Sequence, residues 1–223
     1  TQTLHYHDLT RPETAPGAPE LPEDAQRWLG EEAPHILFTP YLRELARVLT
    51  QGADSNLEKA RRIYDFITKN ASYNFMPAYF SLENIAENCA RSRTGDCGVF
   101  ALLFITLCRC AGVPARWQSG WKVEPGFCGA HDWAQFYVEP YGWLFADCSF
   151  GGSAWRAGST LRHDFYFGNL EPFRMPAASD FQQEFSPARK FPRNDPYDNQ
   201  VGEAEYADRP MEAGEFELKT ELL

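Results

Sequence analysis

Gly95-Asp96-Cys97-Gly98 runs directly into Val99-Phe-Ala-Leu-Leu-Phe-Ile-Thr-Leu-Cys108, the most apolar segment of the chain. Asp96 is a good N-cap residue, which makes Cys97 the first residue of a helix. Apolar residues occupy nearly the whole circumference of that helix, the pattern of a core element rather than a surface one. The helix should run to about Ala111, with Gly112 as its stop and Pro114 barring continuation. A thiol at the N-terminal end of a buried helix sits where the backbone dipole favours thiolate. Cys97 is therefore a candidate nucleophile.

Helical signals dominate on the N-terminal side. Asp24–Leu29 reads as a short helix. Thr39-Pro40 reads as N-cap and N1 proline of a helix through Thr50, stopped by Gly52. Ser55-Asn-Leu-Glu58 is a capping box, followed by a helix to about Lys69 that buries Ala60, Ile63, Tyr64, Phe66 and Ile67. Ala71–Phe75 reads as extended, and Ser81 as the cap of a brief helix through Cys89. On the C-terminal side the period changes to that of strands: Ala115–Trp121, Asp132–Val138 and Trp143–Asp147, with turns at Pro125-Gly126 and Pro140-Tyr-Gly142. Asp164–Phe167 reads as a further short strand. The prolines at 172, 176, 187, 192 and 196 then argue for irregular structure on the core. At the start of the chain, Thr1–Thr10 reads as a strand remnant, with His5 and His7 on one face. Residues 11–23, with four prolines, read as a linker.

The chain has 223 residues, 43% of them hydrophobic and 15% aromatic, enough for a substantial core. Its formal charge is −10, of which −7 lies between Asp195 and Leu223, with nine acidic and two basic side chains. The rest is nearly balanced, which argues against a nucleic-acid surface and against an anionic membrane surface. No stretch reaches the length of a membrane span, and the N-terminus lacks the basic-then-apolar pattern of a secretion signal. Six cysteines without a CxxC, in a chain that is not short and loop-rich, read as free thiols of a reducing, cytoplasmic compartment. A zinc site joining Cys128 and His131 to Cys97 or Cys148 lacks the tight paired spacing such sites use, so no metal and no cofactor is expected.

Downstream of Cys97, His131 follows 34 residues on and Asp147 16 residues further, both on strands. That order suits a thiol nucleophile, its base and the group that orients the base. His131 would accept the thiol proton, and Asp147 would fix the tautomer and stabilise the imidazolium. The Cys97 backbone N–H, unpaired in the first helical turn, is a natural oxyanion donor. Tyr73, Asn74 and Tyr79 stand as candidates for the second donor. The arrangement carries a geometric condition. A two-residue turn at Pro140-Tyr141 would put His131 and Asp147 on opposite faces of the sheet. An odd loop such as Pro140-Tyr141-Gly142, or a bulge, puts them on the same face.

Four blocks in fixed order, Gly95-Asp96-Cys97, Arg109-Cys-Ala-Gly112-Val-Pro114-Ala-Arg116, His131-Asp-Trp133 and Gly142-Trp143-Leu-Phe-Ala-Asp147, together resemble the transglutaminase-like superfamily. Phe167-Gly-Asn-Leu-Glu-Pro-Phe-Arg174 resembles the region that follows in bacterial members. The resemblance implies an α+β, papain-like core, with a central buried helix carrying the cysteine packed on an antiparallel sheet. It also implies a triad of Cys97, His131 and Asp147. The expected organisation is an N-terminal arm over 1–38, a catalytic domain over 39–195 and an acidic extension over 196–223. The expected activity is acyl transfer on a peptide or carboxamide bond of a protein or peptide substrate, through a Cys97 thioester. No calcium loop of the animal transglutaminase kind is visible, and hydrolysis by a protease or amidase is favoured over crosslinking. The alternatives are protein-glutamine γ-glutamyltransferase activity and a non-catalytic module binding peptide or glycan. Trp121, Trp133, Trp143 and Trp155 are candidates for the wall of an acyl-binding cleft, against the default that most aromatics pack in the core.

Overall fold

The computed structural model describes residues 5–11, 21–181, 184–192, 204–212, 214–217 and 219. Seven α-helices and seven strands follow one another as α1 (Glu23–Gln26), α2 (Pro40–Thr50), α3 (Asn56–Asn70), β1 (Ser72–Tyr73), α4 (Ile85–Ser92), β2 (Thr94–Gly95), α5 (Cys97–Cys110), β3 (Ala115–Glu124), β4 (Phe127–Val138), β5 (Gly142–Ala146), α6 (Cys148–Arg156), α7 (Thr160–Phe165), β6 (Phe167–Gly168) and β7 (Arg174–Ala178) among the described residues. The architecture is mixed α+β. Five strands form an antiparallel sheet in the order β6-β5-β4-β3-β7, and α5 packs against β3 and β4. Helices α2, α3 and α4 close around α5.

Local signals account for where α5 begins and ends. The Asp96 side chain accepts the Val99 N–H at 3.0 Å, capping the first turn. At the other end Val113 N–H bonds the Cys108 carbonyl at 2.9 Å and Gly112 N–H the Arg109 carbonyl at 3.0 Å, a Schellman stop. Every residue from Gly98 to Arg109 is buried. Each large apolar side chain among them contributes roughly 1.5–3 kcal/mol by leaving water. Arg109 is buried too, bonding the carbonyls of Ala115 and Gly30 at 2.8 Å and pairing with Glu32. The N-caps Thr39 and Ser55 start α2 and α3 where the sequence places them.

Four elements differ from the sequence expectation. Helix α4 is capped by Asn84, whose side chain accepts the Glu87 N–H at 2.7 Å, and not by Ser81. Residues 5–8 are not a strand, and residues 1–4 lie outside the described region. Instead, His7 bonds Asn169 through both its N–H and its carbonyl. Of the strand expected over Asp164–Phe167, Asp164 and Phe165 end α7, and Phe167 opens β6. Residues 148–156, where glycines blur the pattern, form α6. Gly151 is there because α6 presses on α3, and a Cβ at that position would overlap the Tyr64 hydroxyl. Strand β7 accommodates Pro176 because it is the sheet edge and needs no donor on its outer side.

Candidate active site

Cys97 opens α5, and its neighbourhood is fixed by main chain as well as side chain. Strands β1 and β2 pair in parallel, Tyr73 opposite Gly95, with Asn74 N–H on the Gly95 carbonyl at 3.0 Å. This short ladder ends two residues before the thiol. Asp96 accepts the Tyr79 hydroxyl at 2.5 Å in addition to capping the helix. The half-buried Cys97 thiol donates to Asp132 Oδ2 at 3.3 Å, and the Tyr73 side chain lies close enough for the two groups to interact electrostatically. Burial, followed by the carboxylates of Asp132 and Asp96, pushes the thiol pKa well up. The expectation from the helix dipole alone is thus reversed in the free protein. A dipole charge of about one half is outweighed by two full carboxylates and desolvation.

His131 and Asp147 meet on the sheet. The strands pair Val138 with Gly142, leaving the three residues 139–141 as the loop, and Gly142 takes φ +79°. The loop is odd, displaced by one residue from the span read in the sequence, and the pairing keeps both side chains on one side of the hairpin. His131 Nε2 lies 2.7 Å from Asp147 Oδ2. Facing an ionised carboxylate, Nε2 must carry the proton, which leaves Nδ1 as the basic nitrogen. The Phe150 ring meets the imidazole edge-on at 5.0 Å and Trp133 lies at 6.2 Å, so the ring plane is held.

Asp147 is fully buried. Its Oδ1 caps α6 by accepting the Phe150 N–H at 2.9 Å, and its Oδ2 also takes Arg174 Nη2 at 2.8 Å. Burial alone would raise the carboxyl pKa, but His131, Arg174 and the α6 amide together hold it well below the usual carboxylate range. Arg174, on β7, is buried, grips Glu171 through two hydrogen bonds and lies over the Phe150 ring at 4.8 Å. Arg174 and Asp132 are site residues that the sequence motifs do not single out. Arg174 closes the block Phe167–Arg174 that carried the downstream resemblance, so a signal for it existed. Asp132 lies within the His131-Asp-Trp133 block, where nothing in the spacing distinguishes it from a surface carboxylate.

The imidazole forms part of the wall of a cleft of about 460 Å³, lined also by Tyr73, Phe75, Lys122, Phe127 and Phe150. Its aromatic surface is made by Tyr73, Phe75, Phe127 and Phe150, and among the described residues no tryptophan lines it. Trp133 is buried behind His131, Trp143 packs under Arg116, and Trp155 packs under Lys69. The structure therefore brings His131 and Asp147 into direct contact. Among the described residues, the hydrogen-bond acceptor of Cys97 is Asp132 rather than His131. Among the described residues no three His, Cys, Asp or Glu side chains are grouped to hold a metal ion.

Residues 43–148 match the sequence profile described as the transglutaminase-like superfamily. Over 121 residues, 46% of this chain, the sequence is 26% identical to the uncharacterized protein YebA of Bacillus subtilis (strain 168). The periplasmic domain of TgpA from Pseudomonas aeruginosa is similar in structure, with a TM-score of 0.51 and 18% identity over 65% of this chain and 53% of that one. A candidate cysteine protease of Cytophaga hutchinsonii has a TM-score of 0.49 and 25% identity, over 58% of this chain and 43% of that one. The matched region spans 16% of the length of YebA, and the TgpA likeness concerns the fold.

Proposed function

Residues 43–148 belong to the transglutaminase-like superfamily, and on that premise we propose that the protein is a cysteine-dependent acyl-transfer enzyme acting on peptide or carboxamide bonds. The observation that carries this reading is the contact of His131 Nε2 with the buried, ionised Asp147 at 2.7 Å, on the wall of an open cleft. A histidine held in one tautomer by a carboxylate has its other nitrogen ready as a base. In the proposed reaction His131 takes the Cys97 proton as the sulfur attacks the substrate carbonyl carbon. The leaving amine or ammonia then departs with that proton, and a Cys97 thioester remains. Water resolves the thioester, His131 again acting as base, to give a carboxylic acid. Hydrolysis is favoured over amine transfer because crosslinking needs a second amine site that excludes water, and the cleft is open.

Incubation with a mixed peptide library, with and without a primary amine, and mass spectrometry of the products tests the proposal. Cleaved or deamidated peptides that disappear with Cys97→Ala are the expected result. Amine-incorporated peptides would instead assign γ-glutamyltransferase activity. The absence of any Cys97-dependent product would overturn the enzyme reading. One observation favours a second reading, a non-catalytic peptide-binding module: the thiol is held protonated against Asp132. Iodoacetamide separates the two in the presence of bound peptide. An enzyme's Cys97 labels faster than an ordinary thiol once Asp132 is displaced, and a binding module's does not.

A further inference from the structure

An acyl-transfer site needs two donors for the oxygen that becomes negative when sulfur attacks the carbonyl. The Cys97 N–H, in the first turn of α5, has no intrahelical acceptor and supplies one. The second must reach a point about 3 Å from that N–H and beside the sulfur. Of the polar-aromatic residues before the nucleophile, Tyr79 is engaged by Asp96. Tyr73 is placed differently. It forms part of the wall of the cleft that also holds His131, within electrostatic reach of Cys97. The backbone beneath it is paired with Gly95, two residues ahead of the thiol. Phe100, one turn along α5 from Cys97, meets its ring edge-on at 6.3 Å, and Phe75 does so at 6.0 Å. The side chain remains 41% exposed, so a substrate carbonyl can reach it.

We infer that the Tyr73 hydroxyl is the second oxyanion donor of this site, an assignment that rests on the acyl-transfer reading above. When the thiolate attacks, the carbon–sulfur bond forms and the carbonyl π pair moves onto oxygen. The Tyr73 O–H then donates to that oxygen together with the Cys97 N–H. Collapse returns the pair to the carbonyl and expels the leaving group. Burial first, then the negative charge of a Cys97 thiolate and of Asp96, push the Tyr73 pKa up, so the hydroxyl keeps its proton even while the thiol is ionised.

Two probes of Cys97 separate this role from any effect on the thiol itself. Acylation by p-nitrophenyl acetate passes through an oxyanion and releases nitrophenolate, whereas alkylation by iodoacetamide displaces iodide and forms no oxyanion. Both need the same thiolate. Tyr73→Phe, which removes one oxygen from a partly exposed ring, is expected to slow acylation roughly 10²-fold or more and to leave the alkylation rate within about twofold. Equal rates for both probes in the variant and the wild type would overturn the assignment. So would a parallel fall in both, which would mean that Tyr73 acts on thiol ionisation. If wild-type Cys97 is alkylated but never acylated, the acyl-transfer reading itself fails and takes this inference with it. Circular dichroism of Tyr73→Phe checks that the fold is retained.

Discussion

Arg174→Met is the perturbation whose size follows most directly from the geometry. The substitution keeps a long apolar stem between Phe150 and Trp133 and removes the guanidinium that sits 2.8 Å from Asp147 Oδ2. Asp147 has no exposure to water, so nothing from solvent replaces the lost charge. Removing one partner of a buried ion pair costs about 3–5 kcal/mol, because a desolvated charge is left behind. Glu171 also loses its partner, but at 17% exposure it can rehydrate and adds little. For a domain of this size the loss corresponds to a fall in Tm of roughly 6–20 °C. Urea denaturation of wild type, Arg174→Met, Asp147→Asn and the double variant gives the coupling directly. With Asp147 already neutral, deleting Arg174 strands no carboxylate. The double variant should therefore be more stable than the sum of the single losses predicts, by about 1–3 kcal/mol. A cost below about 1 kcal/mol for Arg174→Met, or strictly additive losses, would refute the view that Arg174 is what makes a buried, ionised Asp147 tolerable.

Further outcomes follow from the same contacts. Asp132→Asn takes a carboxylate from beside the thiol, so alkylation of Cys97 by iodoacetamide should set in at lower pH than in the wild type; an unchanged or higher onset would count against the Asp132 contact. Gly151→Ala forces a methyl group against Tyr64 where α6 meets α3, and calorimetry should show a loss of about 1–3 kcal/mol. Acidification should weaken the fold in two stages, read from urea midpoints against pH. Burial depresses the pKa of His35 to about 4, so the unfolded chain takes that proton first and stability falls between about pH 6.5 and 4. Asp147 is depressed as well, so its contribution is intact above the unfolded value of about 3.9 and is lost as pH falls below it. His35→Gln should shrink the first stage, to which the buried His163 also contributes because burial lowers its pKa, and leave the second; a first stage undiminished by His35→Gln would contradict the assignment.

Much of the fold was legible where a single local rule decides an element. The cap at Asp96, the stop at Gly112, Thr39-Pro40 and Ser55 each mark a helix end by chemistry within a few residues, and the structure has its helices there. The sheet order around β3, β4 and β5 follows from two hairpins, and the required odd loop is present, one residue earlier than read. The elements that escaped depend on partners distant in sequence. Helix α6 has glycines that lower its own propensity and exist to fit Tyr64. Strand β7 holds a proline that only an edge tolerates. The same division runs through the site. A cysteine, a histidine and an aspartate could be ordered along the chain. That the thiol would lie against Asp132, and that Arg174 would reach Asp147 from β7, required the three-dimensional arrangement.

Arg174 lies beyond the end of the segment that matches the superfamily, whereas Asp147 is the last residue but one within it. The segment that matches the superfamily therefore ends before a residue on which its own buried aspartate depends. A fragment ended at residue 148 would keep all three candidate triad residues and yet lose the counter-ion that lets one of them stay charged in the interior. Anyone dissecting this protein, or grafting its core onto another scaffold, should cut after β7 rather than at the limit of homology. What kinship delimits here is a pattern of chemistry, and the electrostatic support for that pattern comes from outside it.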